Sequence, residues 1–341
     1  MGEDRIPQPV CKALDGARGF AKAGHGFPFS FYKNAEIVFW PGCSLAANRP
    51  GLVREICPIL GSRLQKKVGL ALDCCFDPVY GLGDTETSLD ALRRINKRLH
   101  ESKVKKVITG CLNCYKLLSR YIEDIEVVFI LDVLPAECFK NKWDGTAYLH
   151  HPCPSSRWED IMNSAQGVFR HLQKSAEDVK ANAPGFAEAL CCGNGGGLSS
   201  TSPELADRFL ERIVETSGGN TLVTYCAGCQ NRFLKQGIKA VHLLECLSPK
   251  APREKVPSPL AQWANRFLLA MTARLATVKF WVGIFILFLI AAGIGLTRQH
   301  GFSAEGLTDL LGRYPVAAPL IFLCIYAVAP SLFLPSIPLT L

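Results

Sequence analysis

Short apolar runs recur through the first 250 residues and alternate with longer segments of helical periodicity. The runs are rich in β-branched residues and cover 36–40, 68–73, 105–109, 147–150, 186–190 and 221–225. Two of the intervening segments, 86–102 and 202–218, carry apolar residues at helical spacing, and the second ends in Gly218, a typical helix stop. Strands that alternate with helices predict parallel βαβ units. The expected fold class is therefore α/β with parallel sheets.

Cysteines follow all six apolar runs, and their spacing indicates an internal repeat. In the first copy, 30 residues separate a single cysteine from a Cys-Cys pair, and 35 more lead to a CxxC motif. In the second copy these gaps are 37 and 33 residues, and the copy again ends in CxxC. The ten members are Cys43, Cys74, Cys75, Cys111, Cys114, Cys153, Cys191, Cys192, Cys226 and Cys229. We expect two pseudo-repeated lobes, 36–145 and 146–247, after an N-terminal extension, 1–35.

The position of these thiols predicts a binding site in each lobe. Ligands of open parallel sheets lie beyond the carboxyl ends of the strands, which is where the cysteines stand. The glycines at 193–197 favour a dinucleotide loop only weakly, because cysteines occupy the places of its first glycines. A zinc site and a cubane iron–sulfur cluster each use four ligands, one fewer than each copy offers. Five thiolates suit an opened iron–sulfur cluster, and glycines leave backbone N–H groups free to point at sulfur.

Composition and charge limit the binding partners and the cellular compartment that are expected for these thiols. The chain has 15 cysteines, and its formal charge of +8 comes from basic residues scattered through helical patterns, which disfavours nucleic-acid binding. The first 20 residues do not resemble a secretory signal, so we expect a reducing compartment in which metal or redox roles are favoured over disulfides.

The end of the chain predicts a membrane region, 278–341. Residues 280–297 form an 18-residue run without a charge, and a second uncharged run covers 314–341. Two buried core helices are the less favoured alternative at this length. The apolar ending suggests the front part of a longer, multi-pass protein of the inner (cytoplasmic) membrane.

The segment 248–277 joins the second lobe to this region. Its composition predicts a basic linker followed by an amphipathic helix near the lipid bilayer. Six basic residues precede the first predicted span and two, Arg298 and Arg313, separate the spans, so the positive-inside rule places the cysteine-rich part in the cytoplasm. The six are Lys250, Arg253, Lys255, Arg266, Arg274 and Lys279.

The double C…CC…CxxC pattern resembles the CCG (cysteine-rich) domain, which is found in heterodisulfide reductases, in anaerobic glycerol-3-phosphate dehydrogenase and in lactate-utilisation iron–sulfur proteins. The resemblance covers roughly residues 36–247. It implies an oxidoreductase with two non-cubane [4Fe–4S] clusters, one held by the five cysteines of each copy, and a disulfide substrate cleaved between them.

Two departures from this family pattern affect the expectation. The second copy reads CCG, but the first reads CCFDP, with Phe76 and Asp77 in place of the glycine neighbourhood, so the first cluster is less well defined. The ferredoxin-like cysteine motif that often precedes the domain is absent from the sequence, which implies a ferredoxin- or flavin-containing partner as electron donor. The last 60 residues resemble the start of the VTT domain of DedA (SNARE-associated) membrane proteins.

The other thiols and two histidines have simpler interpretations. Cysteines outside the repeat are expected to be small core residues. They are Cys11, Cys57, Cys138, Cys246 and Cys324. His150 and His151 precede Cys153 and are candidates for a hydrogen bond to cluster sulfur or a proton relay.

Two functions remain open from the sequence. The first is a membrane-anchored, heterodisulfide-reductase-like iron–sulfur oxidoreductase that exchanges electrons with a thiol/disulfide or quinone-linked substrate. The second is a redox-sensing iron–sulfur module that regulates a VTT-type membrane domain. A complete pair of motifs favours the first function, whereas the absent electron-input motif and the membrane region favour the second.

Overall fold

The computed structural model describes residues 8–26, 35–142, 146–174, 189–250 and 254–275, together with positions 283 and 285. The chain divides into two compact units, Met1–Met271 and Thr272–Leu341. The first unit contains both cysteine repeats and is described below.

The first lobe is built on a four-stranded sheet in which every pair is parallel. Its strands are β1 (Ile37–Trp40), β2 (Val68–Leu70), β3 (Lys106–Thr109) and β4 (Glu126–Phe129). Their order across the sheet is β2-β1-β3-β4. The chain places β2 on one side of β1 and then crosses back to place β3 on the other side. The gap between β1 and β3 is therefore a topological switch point, where such sheets bind ligands.

The second lobe repeats this arrangement with β5 (Ala147–His150), β6 (Thr221–Thr224) and β7 (Ala240–His242), all parallel in the order β5-β6-β7. An isolated parallel bridge joins Pro152 to Leu190, directly before the second Cys-Cys pair. This bridge holds the place in the chain that β2 holds in the first lobe.

Helices connect the strands in both lobes. In the first unit before the second lobe they are α1 (Gln8–Gly26), α2 (Cys43–Asn48), α3 (Pro50–Leu64), α4 (Asp77–Gly81), α5 (Thr85–Glu101), α6 (Leu112–Tyr121) and α7 (Ile130–Val133). Those that follow are α8 (Glu159–Leu172), α9 (Leu198–Thr201), α10 (Pro203–Ser217), α11 (Ala227–Lys235) and α12 (Pro259–Leu275). Local signals set two boundaries: Asp84 caps α5 by accepting from the Thr87 N–H, and Gly218 ends α10 in a left-handed conformation.

One hydrophobic cluster extends through both lobes. It contains Phe39 and Phe129 of the first sheet, and Phe169 and Tyr225 of the second lobe, all almost completely buried. The Phe129 and Tyr225 rings meet edge to face across the lobe boundary at 6.3 Å. Burying a large apolar side chain contributes about 1.5–3 kcal/mol, so a shared core stabilises the lobes as one body.

A buried polar contact also joins the lobes. Arg49, between α2 and α3, forms an ion pair through its Nε with Glu245 in the turn after β7. The other oxygen of that carboxylate accepts hydrogen bonds from Gln230 Nε2 at 2.6 Å and from the His242 N–H at 3.0 Å. Each buried charge is therefore compensated by a partner from the opposite lobe.

The parallel α/β architecture with two repeats is confirmed, with differences in detail. The run 68–73 is a strand only to Leu70, because the chain then turns toward the cysteines and Asp73 pairs with Arg98 at 2.7 Å. Only Ala189 and Leu190 of the run 186–190 are among the described residues. The edge strands β4 and β7, which no cysteine of the repeat follows, and helix α1 in the N-terminal extension were not predicted.

Within the part of the chain that the structure describes, no helix has the length and apolar character needed to cross a membrane. Except for positions 283 and 285, the predicted spans 280–297 and 314–341 lie outside the described residues, as does most of the segment compared with the VTT domain.

Candidate functional site

The five cysteines of the first repeat lie at the carboxyl ends of three adjacent strands. Cys43 begins α2 directly after β1, and the pair Cys74-Cys75 lies between β2 and α4. Cys111 is the N-cap residue of α6 after β3, and Cys114 lies in the first turn of that helix. Since β2, β1 and β3 are neighbours in the sheet, the fold brings these thiols together.

The first-lobe thiols form a pair and a group of three. Cys43 is hydrogen-bonded to Cys74. The Sγ atoms of Cys75 and Cys114 lie 3.2 Å apart, and Cys114 is also hydrogen-bonded to Cys111. All five predicted first-lobe residues thus take part in sulfur–sulfur contacts.

The second lobe reproduces this division. Cys153 is hydrogen-bonded to Cys191, while Cys229 is hydrogen-bonded to both Cys192 and Cys226. Cys226 is the N-cap residue of α11, with backbone angles close to those of its first-lobe counterpart. Thiols at helix N-termini lie where the helix dipole stabilises negative charge. The repeat in sequence is therefore a repeat in side-chain arrangement.

In each pair, one thiol has a lowered pKa and its partner a raised one. The hydrogen bond from Cys74 lowers the pKa of Cys43 to about 7, and the hydrogen bond from Cys153 lowers that of Cys191 to about 6. The same bonds, followed by burial, raise the pKa of Cys74 and of Cys153. Thiolates are the form that binds metal, so both lobes favour the required anion near neutral pH.

The turn after each Cys-Cys pair supplies a backbone donor to sulfur. The Phe76 N–H donates to Cys74 Sγ at 3.4 Å, and the Gly193 N–H donates to Cys191 Sγ at 3.3 Å. Both residues have a positive φ, 62° for Phe76 and 76° for Gly193. The CCF and CCG sequences therefore form the same turn, although only the second uses glycine.

The glycine run also allows the two Cys-Cys loops to pack against each other. A Cβ at Gly197 would lie 2.7 Å from Leu82 Cδ2 of the first lobe, and one at Gly81 would lie 3.4 Å from the Gly196 Cα. These glycines thus serve close packing between the lobes at the edge that carries the thiols.

Gly42 shapes the first thiol group from within. A Cβ at this position would lie 2.6 Å from Cys111 Cβ, 3.3 Å from Cys111 Sγ and 3.4 Å from Cys114 Sγ. Its φ of 81° and ψ of 158° belong to a region that is essentially restricted to glycine. Glycine is therefore required here, because Cys111 occupies the space that a side chain would need.

Charged side chains that sequence reasoning missed surround the first thiol group. Lys116 Nζ pairs with Asp77 at 2.5 Å, directly after the Cys-Cys turn. Arg266 of α12 donates through Nη2 to the Leu72 carbonyl at 3.4 Å, and its charge acts on Cys43. Lys116 follows the CxxC motif by two positions, which is a usable signal, whereas Arg266 arrives from a remote part of the chain.

The two histidines before Cys153 are buried and neutral. Burial lowers the pKa of His150 to about 3 and that of His151 to about 4. The Nδ1 atom of His151 shares a 2.8 Å hydrogen bond with the hydroxyl of Tyr225, and the ring of His150 packs against Phe233. Their role as sulfur donors or as a proton relay stays a prediction.

The remaining cysteines divide between core and surface. Cys246 is completely buried, and Cys57 and Cys138 pack against the same hydrophobic cluster, as predicted. The prediction is wrong for Cys11, which is exposed on α1, and Cys324 lies outside the described residues.

The donor set fits an iron–sulfur group in its chemistry, because each lobe offers five thiols and a backbone N–H directed at sulfur. No group of three or more His, Cys, Asp or Glu side chains among the described residues is arranged to hold a metal ion. The thiols are engaged in the hydrogen bonds with one another described above.

Residues 37–119 and 147–233 match the cysteine-rich domain CCG. One of the subunits of the dihydromethanophenazine:CoB–CoM heterodisulfide reductase of Methanosarcina barkeri is 25% identical over 235 residues, covering 61% of this chain and 55% of that protein. One of the subunits of the fumarate reductase (CoM/CoB) of Methanothermobacter marburgensis is 24% identical over 257 residues, 66% of this chain and 48% of that protein.

An uncharacterized iron–sulfur protein of Methanococcus maripaludis is 25% identical over 172 residues, 46% of this chain and 32% of that protein. The chain spans about half the length of the first two relatives. Both matched ranges contain one complete set of five cysteines. The chain thus contains two cysteine-rich domains of the CCG family, homologous to subunits of heterodisulfide reductase and of CoM/CoB fumarate reductase.

Proposed function

We propose that this protein is an iron–sulfur oxidoreductase of heterodisulfide-reductase type that transfers electrons through two clusters, one in each lobe. The observation that carries the proposal is the duplicated thiol arrangement, a pair plus a group of three, at the carboxyl ends of two equivalent sheets. Structural zinc sites use four ligands, so five thiols built twice favour an iron–sulfur assembly.

The two clusters are assigned to the two repeats, as non-cubane [4Fe–4S] groups. The first would be held by Cys43, Cys74, Cys75, Cys111 and Cys114, and the second by Cys153, Cys191, Cys192, Cys226 and Cys229. Such a group supplies one-electron transfer when bound. The protein's contribution is to hold five thiolates in place, to donate the Phe76 and Gly193 N–H groups to sulfur, and to keep the lobes in fixed contact through Gly197 and Leu82.

We further propose a thiol/disulfide or quinone-linked substrate, a ferredoxin- or flavin-containing electron donor, and attachment to the inner membrane through 278–341 with the cysteine-rich part in the cytoplasm. The homologous reductase subunits support redox chemistry of this class. The alternative role, a redox-sensing module that regulates a VTT-type membrane domain, depends on 278–341, most of which lies outside the described residues.

Metal analysis of anaerobically purified full-length protein tests the proposal. We expect about eight iron and eight acid-labile sulfide per chain, the content of two four-iron clusters. Stoichiometric zinc without labile sulfide would refute it. Addition of a disulfide such as oxidised glutathione to the reduced protein should reoxidise the clusters, which can be followed by their visible absorption. Clusters that neither a disulfide nor a quinone reoxidises would favour the sensing role.

Matched variants test whether the lobes are equivalent. Because the CCF and CCG turns have the same geometry, we expect Cys75→Ser and Cys192→Ser each to remove about half of the iron and sulfide. Cys246→Ser is the control, since this thiol is buried in the core away from the proposed ligands and should leave the iron content unchanged.

A further inference from the structure

Helix α12 presents an apolar surface on the side that faces away from the first lobe. At 100° per residue, one side of the helix collects six apolar residues. They are Leu260, Trp263, Ala264, Phe267, Leu268 and Met271. Phe267 also packs against the core cluster, so the exposed part of this side consists mainly of Leu260, Trp263 and Leu268. Leu260 is 76% exposed, Trp263 56% and Leu268 54%, and the Trp263 ring stacks on that of Phe267 at 5.5 Å. We call this surface the outer face of α12.

The opposite side of the helix is fixed to the first lobe. Asn265 Nδ2 donates to the Ala47 carbonyl at 2.8 Å, and Arg266 Nη2 donates to the Leu72 carbonyl. Leu269 and Ala270 are buried in the core cluster. These contacts of the inner side fix the rotation of the helix about its axis, so that the outer face is directed away from the first lobe.

We propose that the outer face of α12 docks on the surface of a lipid bilayer. Three features identify this occupant. An 18-residue uncharged run begins at 280, only a few residues after α12 ends at Leu275. Residues 248–279 carry six basic residues and one acidic residue. Arg266 is buried on the inner side, and the other five basic residues still leave a positive balance that suits anionic headgroups. Trp263 contributes an amphipathic ring, and Trp, like Tyr, is enriched at membrane interfaces.

Docking has a consequence for electron exchange. Ala47 lies four residues after Cys43 and Leu72 two residues before Cys74, so the inner side of α12 is attached next to the first thiol pair. A bilayer bound at the outer face therefore lies on the side of the first lobe, and a lipid-soluble carrier would reach the first thiol group before the second. The inference rests on the membrane attachment in the proposed function but not on its clusters.

Quenching by brominated lipids tests the docking. The full-length protein is reconstituted anaerobically in vesicles of phosphatidylglycerol and brominated phosphatidylcholine in equal parts, and the Trp263 emission is taken as the difference between the native protein and Trp263→Phe. We expect this difference signal to fall at least about two-fold relative to vesicles without bromine, and to be insensitive to acrylamide. Trp158→Phe is the control, because Trp158 is half-buried against Tyr115 and its share of the emission should not respond to bromine.

Two results would overturn the inference. A Trp263 signal quenched by acrylamide and not by bromine means that the face is in water. A signal quenched by neither means that the face is covered by protein, either a second copy or an electron donor. Leu268→Glu should lower the bromine effect, and iron and sulfide measured on the same sample show separately whether the proposed clusters are present.

Discussion

The ion pair between Arg49 and Glu245 allows a quantitative test of how the lobes are held together. Both side chains are almost completely buried, 4% and 7% exposed, and they come from opposite lobes. Arg49→Met keeps an unbranched side chain of similar length but removes the guanidinium. The Glu245 carboxylate then stays in the interior without its cationic partner, although Gln230 and the His242 N–H still donate to it.

The expected loss follows from these contacts. Removing one partner of a buried ion pair destabilises a protein by about 3–5 kcal/mol. Since two neutral donors to the carboxylate remain, we expect the lower end, about 3 kcal/mol. For a unit of this size, 1 kcal/mol lowers the melting temperature by roughly 2–4 °C, so Arg49→Met should melt about 6–12 °C below the native protein.

Differential scanning fluorimetry of the full-length protein in vesicles measures this shift. Lys250→Met is the matched control, because it removes an ion pair with Glu55 in which the lysine is 78% exposed, and exposed pairs contribute about 0–1 kcal/mol. The double variant Arg49→Met/Glu245→Gln removes both charges and should lose clearly less than the sum of the single variants. A shift for Arg49→Met no larger than that of the control, or strict additivity in the double variant, would refute this account of the lobe contact.

Three further outcomes follow from the site and the core. Gly42→Ala should lower the bound iron by about half, because its Cβ would clash with Cys111, whereas Gly51→Ala, with nothing near the added methyl group, should keep it. Burial lowers the pKa of His242 to about 4 against an ordinary 6.5, so the unfolded chain binds the proton first and stability is lost as the pH falls from 6.5 toward 4. The free energy of unfolding of His242→Asn should therefore fall less than that of the native protein between pH 6.5 and 4, by up to about 3 kcal/mol. An equal fall in both proteins would contradict the conclusion that His242 is buried in its neutral form. Burial raises the pKa of Cys246 to about 12, so iodoacetamide should modify the exposed Cys11 far faster than Cys246 in native protein, as mass spectrometry of peptides can show.

The strands that carry thiols could be predicted because each apolar, strand-like run is followed directly by a cysteine of the repeat. Each apolar run before a cysteine had to end at the same edge of a parallel sheet, and the observed order β2-β1-β3 brings Cys43, Cys75 and Cys111 to that edge. The edge strand β4 carries a half-exposed pattern and no functional residue, so neither periodicity nor chemistry marks it. The electrostatic effect of Arg266 on Cys43 could not be predicted, because the two positions are 223 residues apart and their proximity follows from tertiary packing and not from a local pattern.

The difference between CCF and CCG shows why a motif departure does not by itself predict a different site. Position 193 must be glycine, since a Cβ there would lie 2.5 Å from the Ala206 carbonyl of α10 in addition to the positive φ. The equivalent turn in the first lobe has room for a side chain: Phe76 is 2% exposed and packs with Val79 and Ala91. A left-handed non-glycine residue costs about 1–2 kcal/mol, and burying a phenylalanine ring contributes about 1.5–3 kcal/mol, so burial offsets the strain. The N–H to sulfur contact, which is what the site requires of this turn, is the same in both lobes at 3.3 and 3.4 Å. Whether this position is phenylalanine or glycine thus depends on the space behind the turn, while the contact with sulfur is made by the backbone N–H and is independent of the side chain.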